Sequence, residues 1–258
     1  MTTPKVLVLR APGTNCDHET KYAFELAGGQ ADRVHINQVL ENPSLVEQYQ
    51  IMCIPGGFSY GDDVAAGRIF ANQMRSHLAD VMHEFKNSDK LILGICNGFQ
   101  VLIKSGLLLD DDANGNPPAT LCWNNHGLYE DRWVYLQNSS DKCIFLRGVD
   151  RLYLPIAHAE GKFVMRNEGI ADQLQVNQQL ALKYVDVAGA PARGFPQNPN
   201  GAQRNVAGVC DSSGRVFGLM PHPERFLEGT QHPRWTRDGL QPEGDGLALF
   251  RNAVEYFA

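Results

Sequence analysis

No run in this sequence approaches the ~18 consecutive apolar residues that a membrane-spanning helix requires. The opening T-T-P-K leads straight into an apolar strand, without the pattern of a signal peptide. There is no G-x-x-x-x-G-K-[ST] and no G-x-G-x-x-G, so neither ATP nor a dinucleotide is expected to bind here in a recognised way. The six cysteines are scattered and include no C-x-x-C pair. Their even number permits disulfides, but without an export signal they are expected to stay reduced, in a cytoplasmic protein. Basic residues are also in deficit: 23 Lys and Arg against 29 Asp and Glu give a net charge of −6, which argues against a nucleic-acid or anionic-membrane surface. No internal repeat or low-complexity segment occurs. What remains is a chain of 258 residues, 43% hydrophobic and 20% charged, long enough to bury a sizeable core as one domain over 1–258.

The first half alternates strands and helices. Lys5 to Leu9, Val34 to Ile36, Ile51 to Ile54 and Lys90 to Ile95 read as short apolar strands. Asp17 to Ala27 and Val64 to Phe85 read as helices between them, the first with Asn15 as N-cap candidate. This order predicts an α/β fold, a doubly wound, mostly parallel sheet flanked by helices, with ligands at the carboxyl ends of its strands. The second half is β-rich. Strands are expected within 122–137, 151–165 and 180–187, followed by a hairpin over 206–220 and a helix from about Gly246 to Phe257.

One stretch carries chemistry on its face. Lys90 to Leu102 reads K-L-I-L-G-I-C-N-G-F-Q-V-L, a strand that turns into a helix at G-x-C-x-G. This is the thiol form of a nucleophile elbow. Glycine stands two residues on either side because a Cβ there would strike the neighbouring strand or helix. Cys96 would be strained at the tip, aimed at solvent, and placed at a helix N-terminus that favours a thiolate. A buried structural cysteine between ordinary turn glycines is the bland alternative.

A thiol nucleophile needs a base, and the base needs an orienting group. His222 lies in M-P-H-P-E-R directly after an apolar strand. The flanking prolines favour extended backbone, in which His222 and Glu224 share a face, so a carboxylate can fix the imidazole tautomer. Acyl transfer further needs oxyanion donors. The N–H of Asn97, next to the nucleophile, and an N–H of the Gly56-Gly57 loop are the candidates, and the ease with which a glycine peptide rotates makes that loop the expected control point. Cys16, His18 and His126 are read as turn or core residues.

With these motifs assembled, G-I-C-N-G-F-Q, the upstream P-G-G and the downstream H-P-E, the chain resembles the Cys-His-Glu glutaminases of the class I glutamine amidotransferases, whose fold is flavodoxin-like. P-G-G-F-S-Y-G-D (55–62), H-A-E-G-K-F (158–163), M-P-H-P-E-R (220–225) and L-R-A-P-G-T-N-C-D (9–17) narrow the resemblance to the glutaminase components of phosphoribosylformylglycinamidine synthases. It runs from Val6 to about Phe250. The resemblance implies Cys96 as nucleophile, His222 as base and acid, Glu224 as its orienter, and Gly57 and Asn97 as oxyanion donors. It also implies Gly56, Phe58, Gln100, His158, Glu160 and Gly161 around L-glutamine. Ammonia would pass to a large ATP-dependent synthetase subunit, with a small accessory subunit, in purine biosynthesis; ATP and Mg would belong to that partner, and no cofactor or metal to this chain. Ala159 departs from the H-G-E-G of the family motif, and 231–244 reads as an added surface loop. A stand-alone thiol amidase or peptidase, and a non-catalytic assembly module, are the alternatives.

Overall fold

The computed structural model describes residues 3–258. The first strand β1 (Lys5–Arg10) leads into α1 (Asp17–Leu26), β2 (Gln30–His35), α2 (Ile36–Glu41) and β3 (Ile51–Ile54). Then come α3 (Arg68–His77), α4 (Ala79–Asn87), β4 (Leu91–Ile95) and α5 (Asn97–Ser105). The second half adds β5 (Ala119–Cys122), β6 (Glu130–Asn138), β7 (Arg151–His158), β8 (Lys162–Met165), α6 (Glu168–Val176), β9 (Leu182–Val185), β10 (Val206–Cys210), β11 (Val216–Leu219), α7 (Trp235–Asp238) and α8 (Leu247–Glu255).

Nine strands form one sheet in the order β2-β1-β3-β4-β11-β10-β9-β6-β7, and β5 pairs with β8 in a small second sheet. From β2 to β11 every pairing is parallel; from β11 to β7 every pairing is antiparallel. The β-rich second half therefore completes the sheet begun by the parallel strands. The chain moves outward from β1 to β2, then returns past β1 to β3 and onward to β4. Right-handed crossovers in opposite directions put their helices on opposite faces. Accordingly α1 packs on β1, β2 and α8, while α5 packs on β3, β4 and β11 with α3 behind it. The edge-on contact of Phe24 with Phe250, centroids 4.9 Å apart, joins α1 to α8. The reversal falls between β1 and β3, so the loops following these two strands flank a crevice at their carboxyl ends.

Several expectations need correction. The helix read over 64–85 is two helices broken at Leu78, which has φ −128°. Phe70, Met74, Leu78 and Met82 are all buried at a spacing of four. On one straight helix each such step would drift by about 40°, and the break resets the phase so that both halves face the interior. β2 begins at Gln30, four residues before the apolar segment that announced it, because an edge strand tolerates Asp32 and Arg33. α6 was not legible from periodicity; its cap is Asn167, whose Oδ1 accepts from Ile170 N at 2.9 Å. The N-cap of α1 is Cys16 rather than Asn15 and makes no side-chain capping bond. Residues 231–243 lie mostly at the surface, though His232 packs on Trp133, with centroids 5.1 Å apart. Among the described residues no helix is long and apolar enough to cross a membrane.

Candidate active site

β4 and β11 are neighbours, with Leu219 opposite Ile95. The residues just beyond each strand therefore emerge side by side. Beyond β4 stands Cys96 with φ +50° and ψ −103°, a conformation that L side chains rarely adopt. The sequence forces this turn. A Cβ on Gly98 would stand 1.8 Å from Ile54 O, and one on Gly94 would stand 2.7 Å from Gly98 O. Both glycines of the elbow are required by close approach, as expected. The thiol does not stand free in solvent, however. Cys96 is buried, its Sγ 3.7 Å from Ala157 O, because the end of β7 walls the elbow.

Beyond β11 stands His222, tied to β7 by its N–H to Pro155 O at 2.8 Å. Its Nδ1 meets Glu224 Oε1 at 2.6 Å, and both residues are buried. The pairing was anticipated, but its backbone reason was not. Pro223–Arg225 is a turn of 3-10 helix rather than an extended segment, and Arg225 N–H closes it on His222 O at 3.2 Å. Proline suits the first position of such a turn, where its missing N–H costs nothing. Burial alone would lower the His222 pKa. The negative charges of Glu224 and then Cys96 outweigh it and hold the imidazole well above its ordinary range. Its Nε2 is buried without a hydrogen-bond partner.

Cys16, read from sequence as a turn or core residue, is buried against this base. Cys16, His222 and Glu224 each offer a ligand atom within 4.8 Å of the others, a donor set that in type would suit zinc. Two facts oppose that use. The Arg225 guanidinium lies 3.3 Å from Cys16 Sγ, a fixed positive charge beside the sulfur, and His222 Nδ1 is already committed to Glu224. The cluster is the wall behind the base. His18 and His126 lie outside it; His126 Nε2 pairs with Glu130 at 3.2 Å.

The remaining candidates converge on the same end of the sheet. Gly56 packs on the base: a Cβ there would stand 2.8 Å from His222 Cε1. Phe58 is half exposed. Asn97 opens α5, and its side chain ties the 59–62 turn to that helix, accepting from Ser59 N at 3.2 Å and donating to Asp62 Oδ1 at 3.1 Å and to Gln100 Oε1 at 3.0 Å. Gln100 passes the link on, donating from Nε2 to Glu160 O at 2.7 Å. The Glu160 carboxylate accepts from Ala66 N at 3.4 Å and lies 3.9 Å from Lys104 Nζ. Partial burial pushes the Asp62 carboxyl up and the Lys104 ammonium down. This polar floor opens on a cleft of about 1050 Å³ between 62–75 and 117–123.

The turn from His158 to Gly161 is held by side chains that sequence reasoning missed. Asn124 Nδ2 donates to His158 O at 2.9 Å, and Asn124 Oδ1 accepts from Gly161 N at 3.2 Å. Asn200 Nδ2 donates to Gly161 O at 2.8 Å and to the Tyr184 hydroxyl at 3.1 Å. These bonds fix the turn although Ala159 stands in the second position. The His158 ring lies against Gly161 with both nitrogens buried and unpartnered. Burial, and then the nearby His222, push its pKa down to about 3, so this ring is neutral at physiological pH. Nothing local in the sequence announces Asn124 or Asn200, since their partners lie 34–39 residues away.

The chain is similar to known proteins over nearly its whole length. The phosphoribosylformylglycinamidine synthase subunit PurQ of Dehalococcoides mccartyi is 50% identical over 257 residues, spanning 99% of this chain and 98% of that protein. The subunit of the same name from Methanococcus maripaludis is 44% identical over 266 aligned positions, 98% and 97% of the two chains. Among solved structures, PurLQS from Thermotoga maritima superposes with a TM-score of 0.75 at 29% identity, covering 100% of both chains. The CobB/CobQ-like glutamine amidotransferase domain matches residues 3–257, nearly the whole sequence, and the chain belongs to that family.

Proposed function

We propose that this chain hydrolyses the side-chain amide of L-glutamine and delivers the ammonia to an ATP-dependent synthetase, which makes phosphoribosylformylglycinamidine in purine biosynthesis. The observation that carries the reading is the buried His222–Glu224 pair, 2.6 Å apart, set beside a thiol on a strained strand-to-helix turn. The relatives named as subunits of that synthase, similar over their whole length, support the substrate and the pathway.

In this reading the Cys96 thiolate attacks the γ-carbonyl carbon, and the oxyanion takes hydrogen bonds from the Gly57 and Asn97 N–H groups. The protonated His222 gives its proton to the leaving nitrogen, the C–N bond breaks and ammonia departs, leaving a glutamyl thioester. Water then attacks the thioester. His222 takes its proton, the C–S bond breaks, and glutamate leaves. Glu224 holds the tautomer and stabilises the imidazolium. Gly56, Phe58 and Gln100 line the side-chain amide, and His158, Glu160 and Gly161 sit where the α-amino and carboxylate groups of glutamine are held. A single amidotransferase domain acts in the cytoplasm, with a large synthetase subunit that holds ATP and Mg and a small accessory subunit.

The test is glutamate formation by the chain alone and with the synthetase, ATP and formylglycinamide ribonucleotide. Turnover should rise in the complete system, with one glutamate formed per amidine product. A rate indifferent to the synthetase would favour a stand-alone amidase.

A further inference from the structure

The loop of residues 11–16, between β1 and α1, takes no part in the reaction just described, yet it lies flat against the segment that carries the Gly57 donor. Phe58 N–H donates to Gly13 O at 3.0 Å, Tyr60 N–H donates to Pro12 O at 2.7 Å, and Gly56 O accepts from Cys16 N–H at 3.3 Å. Thr14 and Gly57 face each other as an antiparallel bridge. In a trans peptide the C=O and the N–H point to opposite sides. Because Gly56 O points toward the loop, the Gly57 N–H points away from it. That far side is the elbow: Ser59 N–H reaches Asn97 Oδ1 at 3.2 Å. The Gly57 N–H thus leaves the loop on the side where Asn97, the residue after Cys96, is bonded.

The contact excludes side chains. A Cβ on Gly13 would stand 2.1 Å from Phe58 O, and one on Gly57 would stand 2.6 Å from Asn15 N. Gly57 also holds φ +138°, open only to glycine. The loop keeps its shape through Thr14, whose Oγ1 accepts from Ala11 N at 3.1 Å, and it is anchored on α1 where Thr20 Oγ1 donates to Cys16 O at 2.7 Å.

We propose that residues 11–16 are a positioning latch for the oxyanion donor, holding the Gly56–Gly57 peptide with its carbonyl toward Cys16 and its N–H toward Cys96. The inference rests on the glutaminase reading. A glycine peptide rotates at little intrinsic cost. Rotation here would break the bond from Cys16 N–H, turn two N–H groups toward each other, and point the Gly56 carbonyl at the developing oxyanion. The latch therefore sets turnover without touching substrate. It also ties the donor to the base, because Cys16 carries the sulfur that packs beside His222 and would stand 3.3 Å from a Cβ on Gly56.

The experiment compares Gly13→Ala and Thr14→Ala with the parent chain, each in the presence of the synthetase. Gly13→Ala, which pushes Phe58 away, should lower kcat by about 10²–10³, the worth of one oxyanion donor. KM for glutamine should rise by less than about tenfold, the part due to displaced Phe58, since the lost donor interaction forms only in the transition state. Thr14→Ala, which loosens the loop without a clash, should fall between the two. Iodoacetamide reports on the elbow separately, because displacement at its saturated carbon forms no oxyanion; Cys96 should react at the parental rate in both variants. A γ-glutamyl aldehyde, which forms an oxyanion on the thiol, should lose affinity in step with kcat. Variants that keep kcat within about twofold, or lose it only together with iodoacetamide reactivity, would overturn the latch. A parent chain that makes no glutamate even with the synthetase would overturn the glutaminase reading and the latch with it.

Discussion

In the parallel half of the sheet the groups proposed to react stand at the ends of adjacent strands, and short stretches of sequence place them. Cys96 follows β4 and His222 follows β11 one strand away, each delivered by a local turn. In the antiparallel half the turn from His158 to Gly161 closes the same end of the sheet by another means. Its backbone is held by the side chains of Asn124 and Asn200, brought in from distant loops. In the proposed reaction the two halves thus divide bond-making from substrate placement. Damage to the first should appear in kcat, and damage to the second in KM.

The largest effect is expected in the parallel half. Cys96→Ala or His222→Ala should lower glutamine turnover by about 10⁴-fold or more, because residues acting as one unit fail together. Ammonia release by the purified complex checks this. Glu224→Gln should cost less, about 10²- to 10⁴-fold, because the carboxylate orients and stabilises without itself reacting. It should also move the alkaline limb of the kcat/KM profile to lower pH. The Glu224 charge raises the His222 pKa, so without it the imidazolium that protonates the leaving nitrogen is lost sooner as pH rises. An unmoved or upward-shifted limb would remove Glu224 from that role.

In the antiparallel half, Asn200→Ala leaves Gly161 O and the Tyr184 hydroxyl without their partner, and should raise KM for glutamine about tenfold with a smaller change in kcat. A loss confined to kcat would erase the proposed division of labour. The smallest effect concerns His158. Its folded-state pKa, down to about 3 from an ordinary 6.5, means that the unfolded chain binds the proton more readily. This residue's contribution is complete above about pH 6.5 and is lost as pH falls toward about 3. The drop in melting temperature between pH 7 and pH 5 should therefore shrink in His158→Gln, and an equal drop in both proteins would contradict the shift.

What could be read from the sequence follows the same boundary. The elbow was legible because the apolar run, the paired glycines and the helix lie within thirteen consecutive residues, Lys90 to Leu102. The His222–Glu224 pair was legible as a pair. Its turn was not, since Pro-His-Pro fits either an extended segment or the start of a 3-10 turn. Asn124 and Asn200 stayed hidden because asparagine in a loop has many uses, and only the folded chain shows which carbonyl it meets. Cys16 stayed hidden for a related reason: nothing in N-C-D reveals that β1 and β3 bring it against His222. The break at Leu78 was masked because Phe70, Met74, Leu78 and Met82 recur at a spacing close to the helical repeat.

The central claim is that Cys96, among six cysteines, is the nucleophile of a glutamine-specific site. A glutamine-like chloroketone followed by peptide mass mapping tests it most directly. The account predicts one label, on Cys96, suppressed by excess L-glutamine and absent in His222→Ala over the same interval. A label on Cys16, Cys53 or Cys122, or one on Cys96 that glutamine does not suppress, would contradict it.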